Sequence, residues 1–93
     1  MYHEILKAFV ESDFASILKG YFSAQDWDNY RIAIHGTKSG ANSIGATRLA
    51  ALALNMETAL TEQNDITYIQ QLHPVALAEI KALEQLIQCI VAK

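Results

Sequence analysis

The stretch that decides the fold runs Asp26-Trp27-Asp28-Asn29-Tyr30-Arg31-Ile32-Ala33-Ile34-His35-Gly36-Thr37-Lys38-Ser39-Gly40-Ala41-Asn42-Ser43-Ile44-Gly45. Trp27, Tyr30, Ile34, Ala41 and Ile44 recur at three- and four-residue intervals, and Thr37 fills the slot between Ile34 and Ala41. That spacing puts them on one face of an α-helix from about Trp27 to Ile44. Asp26 suits the N-cap, and Gly45 suits the left-handed residue that ends a helix.

The same periodicity extends in both directions. Upstream, Tyr2, Ile5, Leu6, Phe9, Val10, Phe14, Ile17, Leu18, Tyr21 and Phe22 form one wide apolar face. It predicts one helix from Tyr2 to about Ser23, or two at an angle with Ser12 and Asp13 available to cap the second. Downstream, Leu49, Leu52, Met56 and Leu60 mark a third helix, and Gln63-Asn64-Asp65 the next turn. Ile69, Leu72, Ala76, Ile80, Leu83, Ile87 and Ile90 carry the last segment, which Pro74 interrupts. An interior proline costs a helix about 3 kcal/mol and disfavours helical geometry at the residue before it, here His73. The expectation is a kink there, or a short helix ending near Leu72 and a longer one from Pro74. No segment alternates with a period of two, and no Asn-Gly or Asp-Gly hairpin turn occurs. The expected fold is all-α: an antiparallel up-down four-helix bundle, with an extra short N-terminal helix or a kinked last helix as variants.

A chain of 93 residues suffices for one domain, taken as 1–93. With 52% apolar and 18% charged residues, the composition is globular rather than disordered. A net charge of −3 argues against a nucleic-acid partner, which asks for a basic stripe. No apolar run approaches the ~20 residues that span a bilayer, so no membrane partner is expected. The single cysteine, Cys89, has no internal partner and reads as a small buried residue of the last helix. These features together point to a cytoplasmic monomer.

His35 lies about 135° around the helix from the centre of the apolar stripe, facing solvent. Arg31 and Lys38 stand one turn before and after it on the same face. Gly36, Ser39, Gly40 and Ser43 are small, and a mid-helix glycine costs roughly 0.5–1 kcal/mol relative to alanine. The expected reason is access: a bulky side chain would hold a large partner away from His35. Ile32 would then be an exposed apolar contact beside the site, and Asn42 a polar one. A neutral imidazole is a competent nucleophile, and a neighbouring ammonium can bond a phosphoryl group once attached. No phosphate-binding glycine loop and no carboxylate cluster for magnesium is present, so the chain is not expected to bind or cleave ATP itself. Glu57, Glu62 and Asp65 show no pairing that suggests acid–base work, and His3 and His73 form no metal site with His35.

These residues resemble the histidine-containing phosphotransfer (HPt) domains of bacterial and fungal phosphorelays. That family's signature is a histidine, a lysine at plus three, a small residue at plus four and a glycine at plus ten, here His35, Lys38, Ser39 and Gly45. The similarity continues through Asp26-Trp27-Asp28-Asn29-Tyr30 upstream, and through Ile44-Gly45-Ala46, Leu49, Leu52, Met56-Glu57 and Asp65-Ile66-Thr67-Tyr68-Ile69 downstream. Thr37 departs from the usual leucine and Ser39 from the commonest glycine. The resemblance implies a bundle that takes a phosphoryl group from a receiver-domain aspartate onto His35 and passes it to another receiver aspartate. It implies response-regulator receivers as partners, with a hybrid sensor histidine kinase as a further one. Divalent metal would belong to the receiver, and this chain would need no cofactor and have no kinase activity of its own. A different class of function is a helical docking module that binds a receiver or kinase without carrying phosphate. Such a module has no use for the histidine, which this chain keeps. A metal-dependent bundle enzyme fits poorly, because inward-facing Glu and His ligands on several helices are missing from the pattern.

Overall fold

The computed structural model describes residues 2–63 and 65–91, with side chains described for 4–63 and 65–90. In order along the chain the helices are α1 (Tyr2–Glu11), α2 (Phe14–Ala24), α3 (Trp27–Ser43), α4 (Thr47–Thr58), a π-helical turn (Ala59–Gln63) and α5 (Ile66–Val91). Among the described residues there is no strand. Helices α2 to α5 form the four-helix bundle: α2 packs on α3, α3 on α4, α4 on α5, and α5 closes on α2. The extra N-terminal helix, α1, lies across α5 and α3.

Each boundary has a local cause. Between α1 and α2 the chain turns on Asp13, a non-glycine residue in the left-handed region at φ 52°. Asp13 makes no side-chain cap, and the Ser12 hydroxyl donates back to the Ala8 carbonyl at 2.8 Å. The upstream stretch is therefore two helices, with a backbone corner in place of the side-chain cap. Asp26 does cap α3: its carboxylate accepts from the Asn29 backbone N–H at 3.4 Å and from the Asn29 amide at 2.7 Å. Gly45, at φ 76°, ends the helix. The Ala46 N–H donates to the Ala41 carbonyl at 2.8 Å and the Gly45 N–H to that of Asn42, the paired bonds that close a left-handed C-terminus.

The core is the stripe that the spacing of α3 predicts. Tyr30, Ile34, Thr37 and Ala41 are fully buried, and they meet Leu18, Leu49, Met56, Ile69 and Ile80 from the other helices. Burying each large aliphatic chain stabilises the fold by roughly 1.5–3 kcal/mol. Thr37 is tolerated there because its hydroxyl donates to the Ala33 carbonyl at 2.9 Å, leaving no polar atom unsatisfied.

Of the two forms expected for the last segment, the split into two helices is not found. Helix α5 continues through Pro74 for 26 residues and sets the 42 Å long dimension of the molecule. Ile69, His73, Ala76 and Ile80 are buried on both sides of the proline, so tertiary packing favours keeping this stretch helical. Pro74 itself is exposed, and the Gln70 carbonyl that loses its donor lies on an exposed residue that water can reach. Cys89 is also corrected. It is exposed near the end of α5, and Ile87 takes the inward place. Asn64 of the expected turn and the side chain of His3 lie outside the described residues.

Candidate functional site

α3 carries His35 on its outward face, and 60% of the imidazole is exposed. The ring is not free, however. Its Nδ1 stands 2.7 Å from Oε2 of Glu57, on α4. The other oxygen of the same carboxylate, Oε1, accepts from the Lys38 ammonium at 2.6 Å. One carboxylate thus bridges the two residues that the sequence pattern singles out. It can do so because α3 and α4 are consecutive antiparallel helices joined by a tight Gly45 turn, which brings Glu57 level with His35 across the groove.

The sequence reading gave Glu57 no role, and the structure corrects this. Glu57 follows buried Ala53 by four residues and precedes buried Leu60 by three, so it stands at the rim of the apolar stripe of α4. An acidic side chain at that rim, only 19% exposed, needs a cationic or hydrogen-bonding partner. That was the available signal. The bond from Lys38 holds the Glu57 carboxyl below its ordinary range; partial burial acts against this, and the bond to His35 adds to it. Near neutral pH the carboxylate is therefore ionised and only accepts hydrogen bonds. It follows that Nδ1 of His35 is the donor, and in the neutral ring the lone pair is on Nε2.

Around the imidazole, Arg31, Ile32, Ser39, Asn42 and Ser43 are all exposed, Ile32 at 61%. The Ser43 hydroxyl bonds back to the Ser39 carbonyl at 3.0 Å. On the α4 side, Lys38 and Asn42 line a groove with Thr47, Ala50, Ala51 and Leu54. The two glycines of α3 face the other way, toward α2. A Cβ on Gly40 would meet the Phe14 ring at 3.0 and 3.2 Å and Phe9 at 3.3 Å. Gly40 is thus required by the α1–α2 corner packing onto α3, a cause different from the expected partner access. Gly36 has only Phe14 at 3.7 Å, an ordinary contact, and stays half-buried beside His35.

The exposed imidazole and the lysine one turn on are the first two residues of the signature quoted above, His35 and Lys38. The family model described as the Hpt domain matches residues 2–90, nearly the whole chain. The chain belongs to the Hpt domain family. No curated protein and no solved structure matches it. Membership places this Hpt domain in phosphorelay, two-component signalling, with receiver and kinase domains as the class of partner. No helix among the described residues is long and apolar enough to cross a membrane. Among them, too, no group of three or more His, Cys, Asp or Glu side chains is placed to hold a metal ion.

Proposed function

We propose that this Hpt domain is an intermediate carrier whose phosphoacceptor is Nε2 of His35, loaded from the aspartyl phosphate of one receiver and unloaded onto the aspartate of another. The observation that carries this reading is the exposed His35 ring with Nδ1 2.7 Å from the Glu57 carboxylate, which leaves Nε2 as the ring nitrogen available to react. In loading, Nε2 attacks phosphorus, an N–P bond forms, and the P–O bond to the receiver carboxyl breaks with its electron pair leaving on that carboxylate. The proton remains on Nδ1 throughout, so the phosphorylated ring is an imidazolium facing the Glu57 carboxylate. Unloading is the reverse, and the ring departs as a neutral imidazole. No base has to remove a proton at either stage.

Lys38 is the residue proposed to bond the phosphoryl oxygens. Arg31, Ile32, Gly36, Ser39, Asn42 and Ser43 supply the proposed docking surface; Gly40 serves it only indirectly, by seating Phe14. Divalent metal is expected on the receiver, since the carboxylate of Glu57 is already bonded to its two neighbours. Incubation with a phosphorylated receiver tests the reading: an acid-labile, alkali-stable phosphohistidine should appear, and His35→Gln should abolish it. Label that persists in that variant would remove the chemistry.

A further inference from the structure

We propose that the outward face of α5 is a self-association surface, on which a second copy of this chain docks with its own α5 parallel to the first. The pairing is independent of the phosphoryl chemistry and departs from the monomer expected from composition.

Helix α5 carries two apolar stripes. One is inward: Ile69, His73, Ala76, Ile80 and Ile87 are buried in the bundle. At about 100° per residue they stand roughly 120° to 180° around the helix from Ala82. The other stripe is Val75, Ala78, Ala82, Leu86 and Cys89, all within about 40° of Ala82. All five are exposed, Val75 at 46% and Leu86 at 59%. From Gln71 to Cys89 this band holds no charged residue, whereas a solvated helix face ordinarily carries several. Val75, Ala82 and Cys89 recur every seven residues, with Ala78 and Gln85 between them. That is the spacing of a helix that pairs with another along its length. Ala78 and Ala82, in the middle, are small enough to let two helices approach closely.

Charge identifies the occupant and its direction. Glu79 flanks the band on one side, about 60° from Ala82, and Lys81 on the other, about 100° away. Glu84 lies farther round and is half-buried. In a parallel pair, the two-fold axis sets the Glu79 flank of each copy against the Lys81 flank of the other. An antiparallel pair would bring Glu79 toward Glu79 and Lys81 toward Lys81. The uncharged centre is compatible with its own copy, and the flanks select the parallel arrangement. Cys89 then meets its own counterpart across the axis.

Area sets the strength. The stretch from Gln71 to Cys89 is about 27 Å of helix and about 10 Å wide. Two such faces fall short of the ~1,200 Å² at which stable interfaces begin, so the dimer is weak, with a dissociation constant on the order of 10–100 μM. Because α5 lies across the bundle from α3, both His35 side chains stay open in the pair.

Sedimentation velocity of the full chain from about 10 μM to about 1 mM spans that constant. The sedimenting mass should rise from that of one chain toward that of two. Ala82→Glu sets two carboxylates face to face and should weaken the dimer at least about tenfold, with circular dichroism showing the fold unchanged. In glutathione disulfide, wild type should form a Cys89-linked dimer, and Ala82→Glu, with the same thiol, should form it far more slowly. A wild type that stays monomeric throughout would overturn the proposal and leave the face to a helix of a different protein. A dimer indifferent to Ala82→Glu, or cross-linking equally fast in both chains, would overturn it as well.

Discussion

The molecule holds two well-described histidines, and each uses Nδ1 to bond a neighbour on another helix. For His35 that neighbour is the Glu57 carboxylate at 2.7 Å; for His73 it is the Tyr30 hydroxyl at 2.8 Å. His73 is 7% exposed and stacks on Phe22 with centroids 3.8 Å apart and planes 4° from parallel. His35 stands open to solvent. The Tyr30 hydroxyl, kept protonated by burial, shares a hydrogen bond with Nδ1 of His73, and the tautomer of the ring sets its direction. A carboxylate partner and solvent access suit an imidazole to the proposed nucleophilic role. A phenol partner and an aromatic roof make the same group part of a core. Position on the helix, more than residue type, sets the chemistry.

The hardest way to break this contrast is to delete each ring in turn. In one transfer assay, run below the melting temperature of each variant, His35→Gln should accept no phosphoryl group, whereas His73→Ala should still be loaded. Phosphate found on His73 after loss of His35 would erase the distinction. The second variant should fail on stability instead. It removes the stack on Phe22 and leaves the buried Tyr30 hydroxyl without its partner, a loss of about 2–4 kcal/mol in urea unfolding. A loss under about 1 kcal/mol would mean that water replaces the ring at little cost.

The backbone behind His35 gives a finer test. Gly40→Ala forces a methyl to within 3.0 Å of the Phe14 ring, with Phe9 also close, so it should destabilise by about 1–3 kcal/mol. Gly36→Ala, one turn earlier, meets Phe14 only at 3.7 Å and gains helix propensity. It should be neutral or raise stability by up to about 1 kcal/mol. Equal effects at the two positions, measured by thermal unfolding, would show that Phe14 yields freely and that the α1–α2 corner does not dictate Gly40.

How much of this could be read from the chain follows from which interactions are local. The stripe of α3, its Asp26 cap and its Gly45 stop are set within a few residues, and each was legible. So was the outward direction of His35, because a helix fixes angles. What escaped reading depends on a second helix. Glu57 reaches His35 across 22 positions, and Phe14 reaches Gly40 across a helix corner, so neither relation has a fixed spacing in sequence. The split allowed at Pro74 is not found, for the same reason. The proline's local cost was correct in sign, but the burial of Ile69, Ala76 and Ile80 on both sides outweighs it. Cys89 turns outward because it stands two residues from buried Ile87, about 200° around the helix, on the face opposite the apolar stripe.

The smallest effect separates the two histidine sites by their proton linkage. Burial, with Lys19 adding to it, pushes the His73 imidazole below its ordinary value of 6.5. Between that value and the lower native one, the unfolded chain binds a proton that the native chain refuses. Stability should therefore be complete above about pH 6.5 and decline as pH falls through this window. Glu57 is also lowered, from 4.5, so its contribution is present above that value and is lost in a separate, more acid window. Urea midpoints measured from about pH 8 to about pH 3 should show both declines. His73→Leu should flatten the upper one and leave the lower, and Glu57→Gln should blunt the lower and leave the upper. An upper decline that survives in His73→Leu would assign it to another group, and the buried ring would then carry no proton linkage to folding.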